Sequence, residues 1–194
     1  MDALEALSTR TSPATLTDPP PDPATMERLL AAAMRAPDHG RLRPWRFIII
    51  DGDARKAFGA VLAEALRARE PAVADVVLAK ERAKPLRAPR IVVVAAALRD
   101  HPGVPQIEQV IAAGAAAENL LVAAHAAGFG GFWRTGAAAY DDTVKRALGL
   151  APGDAIVGFI YLGTPAAAVA PPAPDRGARV VQWTGSMGSG NPSV

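Results

Sequence analysis

The stretch Met34–Ile50, "MRAPDHGRLRPWRFIII", decides how the rest of the chain is read. Its end, Trp45 to Ile50, is a short apolar run rich in isoleucine, which predicts a buried strand. Its beginning crowds Arg35, His39, Arg41 and Arg43 into an irregular segment, with Trp45 and Arg46 at the strand mouth. Buried cations without partners are costly. An anionic group, or an exposed face, is therefore expected to meet them.

Upstream, Asp2 and Glu5 form a capping box that predicts a helix from Ala3 to about Ser8. Pro13 forbids simple continuation, and "LTDPPPDPA" reads as a stiff proline linker. Asp22 as N-cap with Pro23 behind it opens a second helix. Met26, Leu29, Leu30 and Ala33 mark its apolar face, and it ends at Arg35–Ala36 before Pro37.

Downstream, "DARKAFGAVLAEALRAR" is an amphipathic helix beginning near Asp53. Residues Pro71 to Pro89 are charged and read as a mobile helical excursion over a site. "IVVVAAA", Ile91 to Ala97, is a second buried strand. Gln106 to Gly128 is a long helix, apolar around so much of its circumference that it is either the central core helix or half of a dimer interface. "GFGGFWRTG" gives a C-cap at Gly128, a turn and a short strand. Asp141 or Asp142 caps a helix to about Leu148, and Ile156 to Leu162 is the last strand. Residues 165–174 look extended, and 185–194 are expected to be disordered. This order predicts one α+β layered domain over residues 1–184, with a sheet of about four strands.

The bulk properties exclude several function classes. The chain has 194 residues, half of them hydrophobic, enough for one core. Its mean hydropathy is +0.13. It has no cysteine, so disulfides and thiolate metal sites are ruled out, which suits a cytoplasmic setting. No basic, apolar leader opens the sequence. No apolar run reaches the length of a membrane span, since Glu118, Asn119 and His125 interrupt the nearest one. A net charge of +2 argues against nucleic-acid binding. His39, His101 and His125 are far apart in sequence, so no metal site is expected. Serine-hydrolase, phosphate-loop and dinucleotide fingerprints are missing.

Three loops carry polar chemistry. Arg10–Thr11–Ser12 supplies a guanidinium and two hydroxyls, a phosphate-binding set. Trp133–Arg134–Thr135 repeats the theme with an aromatic ring. The Arg35–Trp45 segment is the third. Together they suit a ligand with a flat ring system and a phosphate.

The combination "MRAPDH…PWRF", "GFGGFWRTG" and "GFIYLGTP" resembles the nitroreductase family of FMN-dependent oxidoreductases, and within it the short subgroup of NAD(P)H nitroreductases. The resemblance runs nearly the whole chain. It implies a three-layer α-β-α sandwich of the α+β class with a central, mostly antiparallel sheet. It also implies a homodimer with two non-covalent FMN sites at the subunit interface. Arg10, Thr11 and Ser12 match the run on the phosphate and ribityl side, where relatives usually read Arg-Arg-Ser. Arg35 and His39 match positions that reach the partner's FMN. Trp133, Arg134 and Thr135 match a third FMN-contacting run, in which Thr135 keeps the hydroxyl of the subgroup's serine. Arg176 and Arg179 are stand-ins for a basic C-terminal phosphate contact.

The implied activity is electron transfer from NADH or NADPH through flavin N5 to a nitro, quinone or similar acceptor, by a ping-pong mechanism. No protein residue is required as a catalytic acid or base, although His39 is a candidate proton donor to the acceptor. The alternatives are a flavin-binding protein for storage or sensing without turnover, and a basic nucleic-acid-binding module.

Overall fold

The computed structural model describes residues 1–171 and, beyond them, residues 173, 180, 182, 183 and 185. The expected disorder of 185–194 falls outside the described residues save Gly185, as do Arg176 and Arg179.

The helices are α1 (Ala3–Thr9), α2 (Pro23–Ala33), α3 (Ala54–Arg69), α4 (Asp75–Ala83), α5 (Gln106–Ala126) and α6 (Asp142–Ala147). The strands are β1 (Leu16–Thr17), β2 (Trp45–Asp51), β3 (Arg90–Ala96), β4 (Gly130–Arg134) and β5 (Ala155–Pro165). All strand pairs are antiparallel, in the order β1-β5-β3-β2 with β4 also on β5. β5 is the hub, pairing with β3, β4 and β1 along its length.

Side chains alternate across a strand with period two, and here both faces are covered. Ile91, Val93, Phe159 and Tyr161 pack with Phe58, Leu62 and Val144 of α3 and α6. Val92, Val94, Ile160 and Leu162 pack with Met26 and Leu29 of α2 and with Ala117, Leu120 and Leu121 of α5. A sheet sandwiched this way reads as continuous apolar runs. The result is the three-layer α+β architecture expected.

The local caps follow the sequence. Asp2 accepts from the Glu5 N–H at 2.9 Å. Asp22 accepts from the Thr25 N–H at 2.7 Å. Asp141 caps α6 through the N–H groups of Thr143 and Val144, and pairs with Arg69. Burial pushes the Asp141 carboxyl up, but the Arg69 guanidinium and those two amides outweigh it and hold the group below the usual carboxylate range.

Four expectations need correction. Leu16–Thr17 is a strand inside the proline linker, because Leu16 is buried and pairs with Pro165. β2 is an edge strand rather than a buried one, and Ile49 is 43% exposed. Residues 71–89 are docked rather than loose: α4 packs on α3, with Leu78 buried against Ala63 and Leu66. Finally, α5 does have the length and composition of a membrane span, with 21 residues and a mean hydropathy of 1.3 in its best window. Its Ala113, Ala116, Ala117, Leu120 and Ala124 are fully buried in the protein, as in a core helix.

Candidate functional site

A cavity of about 530 Å³ lies between α3, the turn after α4 and the end of β4. That is the size range of small-molecule sites. Trp133, Arg134 and Thr135 line it together with Phe58, Phe132, Phe159 and Tyr161. The period of two divides the "FWR" run. Phe132 faces the α3 layer, and the Arg134 guanidinium lies 4.2 Å from its ring centroid and 5.9 Å from that of Tyr161. Such stacking helps to hold the cation in place. Burial pushes the Tyr161 phenol up, with Arg134 and Arg87 pulling the other way, so it stays protonated at neutral pH.

Trp133 packs toward the opposite, α5 layer, and its indole N–H donates to the Val157 carbonyl at 3.2 Å. It fits only because residue 158 is glycine: a Cβ there would sit 2.1 Å from Trp133 Nε1. Gly158→Ala is expected to cost about 1–3 kcal/mol through overpacking, and to shift tryptophan fluorescence. Urea unfolding with an unchanged midpoint would contradict this packing.

Arg10, Thr11 and Ser12 stand in a second place, a groove of about 700 Å³ at the exit of α1, with Leu7, Ser8 and Val169. Arg10 Nη1 donates to Ser12 Oγ at 3.4 Å, and Nε pairs with Glu118 at 3.3 Å. A guanidinium and a hydroxyl, hydrogen-bonded to each other, thus share one wall.

Arg35 lines a third, shallower pocket of about 240 Å³ with Asp38, Arg41, Arg43 and Trp45. It directly follows α2, whose Ala32 carbonyl accepts from Asn119 of α5 at 3.3 Å. Arg41 and Arg43 both sit at positive φ, 53° and 48°, a strained conformation for arginine. The Asp38 carboxylate takes the Arg43 N–H at 2.5 Å and braces that turn. Trp45, expected as core, is half-buried and lines this pocket. His39 is exposed, and its Nδ1 lies 2.5 Å from Glu108 Oε2. The carboxylate can only accept, so Nδ1 carries the proton and Nε2 points outward. Neutral His39 then offers an acceptor there and donates only when protonated.

One chain therefore lines one cavity with Trp133, Arg134 and Thr135, a groove with Arg10, Thr11 and Ser12, and a further pocket with Arg35, while His39 lines none of the three. Sequence reasoning missed Glu81, Lys84 and Arg87, which line the cavity from the excursion and the turn after α4. Lys84 pairs with Glu81 at 2.5 Å. Their only signal was the dense charge of "KERAKPLR". It also missed Glu108 and Glu118, the carboxylates that hold His39 and Arg10. Among the described residues no cluster could hold a metal ion.

Comparison with known proteins identifies the family. The model of the Nitroreductase family matches residues 7–164. The Escherichia coli (strain K12) protein named "Putative NAD(P)H nitroreductase YdjA" is 43% identical over 165 residues, covering 85% of this chain and 89% of that protein. The nitroreductase-like family protein from Bacillus cereus has a similar crystal structure, with a TM-score of 0.79, 23% identity and coverage of 95% and 97% of the two chains. A variant of the FMN and NADPH-dependent nitroreductase NfnB derived from sphigopyxis sp. strain HMH gives a TM-score of 0.72 at 22% identity, covering 96% of this chain and all of that one. With the family model spanning most of the sequence and a relative this close over its length, the chain belongs to the nitroreductase family.

Proposed function

We propose that this protein is an FMN-dependent oxidoreductase, acting as a homodimer, that carries electrons from NADH or NADPH to a small nitro, quinone or similar acceptor. The observation that carries the reading is the division of labour on one chain. A guanidinium with a hydroxyl, Arg10 with Ser12, and an aromatic cavity with a stacked cation, Arg134, accompany Arg35 and His39, both exposed and lining neither cleft. A second copy would bring the last pair to the first two. The NAD(P)H in the name of the Escherichia coli relative and the FMN dependence stated for NfnB support the cofactor choice.

The residues fit FMN. Arg10 and the Ser12 hydroxyl suit its phosphate, and the rings of Phe132, Phe159 and Tyr161 suit an apolar, flat ring system. FMN, when bound, supplies the redox chemistry between donor and acceptor, taken in turn at one site in a ping-pong order. The protein's own part is to bind, orient and exclude water. Arg134, stacked on two rings, places a positive charge at the cavity in a fixed position, where it stabilises developing negative charge at little reorganisation cost. His39, held by Glu108, contacts the cofactor or acceptor through Nε2.

Purified protein is expected to show a flavin absorbance spectrum that NADH or NADPH bleaches without oxygen and that an added quinone restores. Protein that stays colourless and cannot be reconstituted with FMN overturns the proposal. Bound flavin that no pyridine nucleotide reduces leaves storage or sensing instead.

A further inference from the structure

Arg10 leaves α1 with two of its donors already directed. Nε pairs with Glu118 Oε1, and Nη1 donates to Ser12 Oγ. Glu118 belongs to α5 and lines a different cleft from the one that Arg10 lines. It lines the apolar cleft between α1 and α5, with Ala6, Leu7 and Val122, and is not part of the groove wall that holds Thr11 and Ser12. The carboxylate therefore holds the guanidinium without itself lining the groove. With Nε engaged and one Nη1 proton on Ser12, Nη2 and the second Nη1 proton remain for an anion.

A second contact fixes the same segment. Thr9 Oγ1 gives its single proton to the Glu5 carbonyl at 2.6 Å. His125 Nε2, 2.9 Å away, must then be the donor to that oxygen. Glu118 and His125 lie two turns apart on one face of α5, so consecutive residues at the α1 exit are clamped to one rigid helix.

On the reading that the chain binds FMN, we infer that Glu118 is a positioning residue for the flavin phosphate, orienting Arg10 from outside the site. Arginine has a long, flexible side chain, and ordering it before the ligand arrives removes part of the entropy cost of binding. A carboxylate this near also repels a phosphate. The two effects have opposite signs on affinity, and a charge-removing, shape-conserving change separates them.

The test is flavin titration of the apoprotein, followed by fluorescence, with FMN and with riboflavin, which lacks the phosphate. E118Q is expected to weaken FMN binding about fourfold and to leave riboflavin binding unchanged within about 1.5-fold. In an Arg10→Ala background the same change is expected to cost nothing further. Unchanged or tighter FMN binding by E118Q overturns the positioning role, and so does an equal loss for both flavins, which marks a merely structural contact. Wild-type protein that binds neither flavin removes the FMN reading and this inference with it. Wild-type protein that holds FMN while E118Q is unaffected removes only the inference.

Discussion

Arg10→Ala is expected to raise the FMN dissociation constant about 100-fold while leaving the fold and riboflavin affinity unchanged. Hydrogen bonds to charged groups contribute roughly 1.5–3 kcal/mol each, and a guanidinium edge meeting a phosphate makes two of them in a fixed plane. The Arg10 side chain is 26% exposed, so water screens it only in part. Its contribution to folding is small by comparison. Arg10 follows the last residue of α1 and forms one half-exposed ion pair, a type worth less than about 1 kcal/mol. Arg10→Lys should fall between the two, because an ammonium is a point charge without the planar fork. Titration of apoprotein with FMN and riboflavin, alongside thermal melts, measures both effects. Equal FMN affinity in wild type and Arg10→Ala would take the residue out of the site.

How far the sequence could be read depended on how local each signal is. The capping box at Asp2 and the N-caps at Asp22 and Asp141 involve residues three apart or fewer; the first two were legible outright, and the third was narrowed to Asp141 or Asp142. So was the end of α5, where Gly128 adopts φ +84°. β1 was not, because two residues become a strand only through pairing with Thr164 and Pro165 far along the chain. The apolarity of "WRFIII" reported a need for burial but not who supplies it. Within one chain β2 is an edge with Ile49 half-open, so the run describes a surface as well as a core. The candidate site shows the same limit. Arg10, Arg35 and Arg134 were legible as residue types suited to an anion, yet their division among three clefts depends on sheet register and helix docking. Residues 71–89 were legible as an excursion over a site, but not that Glu81, Lys84 and Arg87 are the charges that line it, because a charged helix has the same composition whether it faces water or a cavity.

Ile111→Glu is expected to convert the protein to a monomer and, with it, to abolish FMN retention through gel filtration. α5 is buried along one side, yet Ile107 and Ile111, one turn apart on its other side, are each 63% exposed in a single chain. Exposed apolar side chains at helical spacing mark an interaction face. In a symmetric pair each isoleucine recurs on both subunits, and covering each contributes about 1–2 kcal/mol. A glutamate there would leave charge unpaired in the contact, reversing the gain. The link to flavin comes from position. Glu108, beside Ile107 in the chain, holds His39, so the loop carrying Arg35 and His39 borders this stripe. A partner docked on the stripe would then receive both residues at its own cofactor site. Sedimentation velocity and the flavin-to-protein absorbance ratio report the two consequences separately. A monomeric Ile111→Glu that still carries a full complement of tightly bound FMN would refute a site shared between subunits. A dimeric Ile111→Glu would place the interface elsewhere on the molecule.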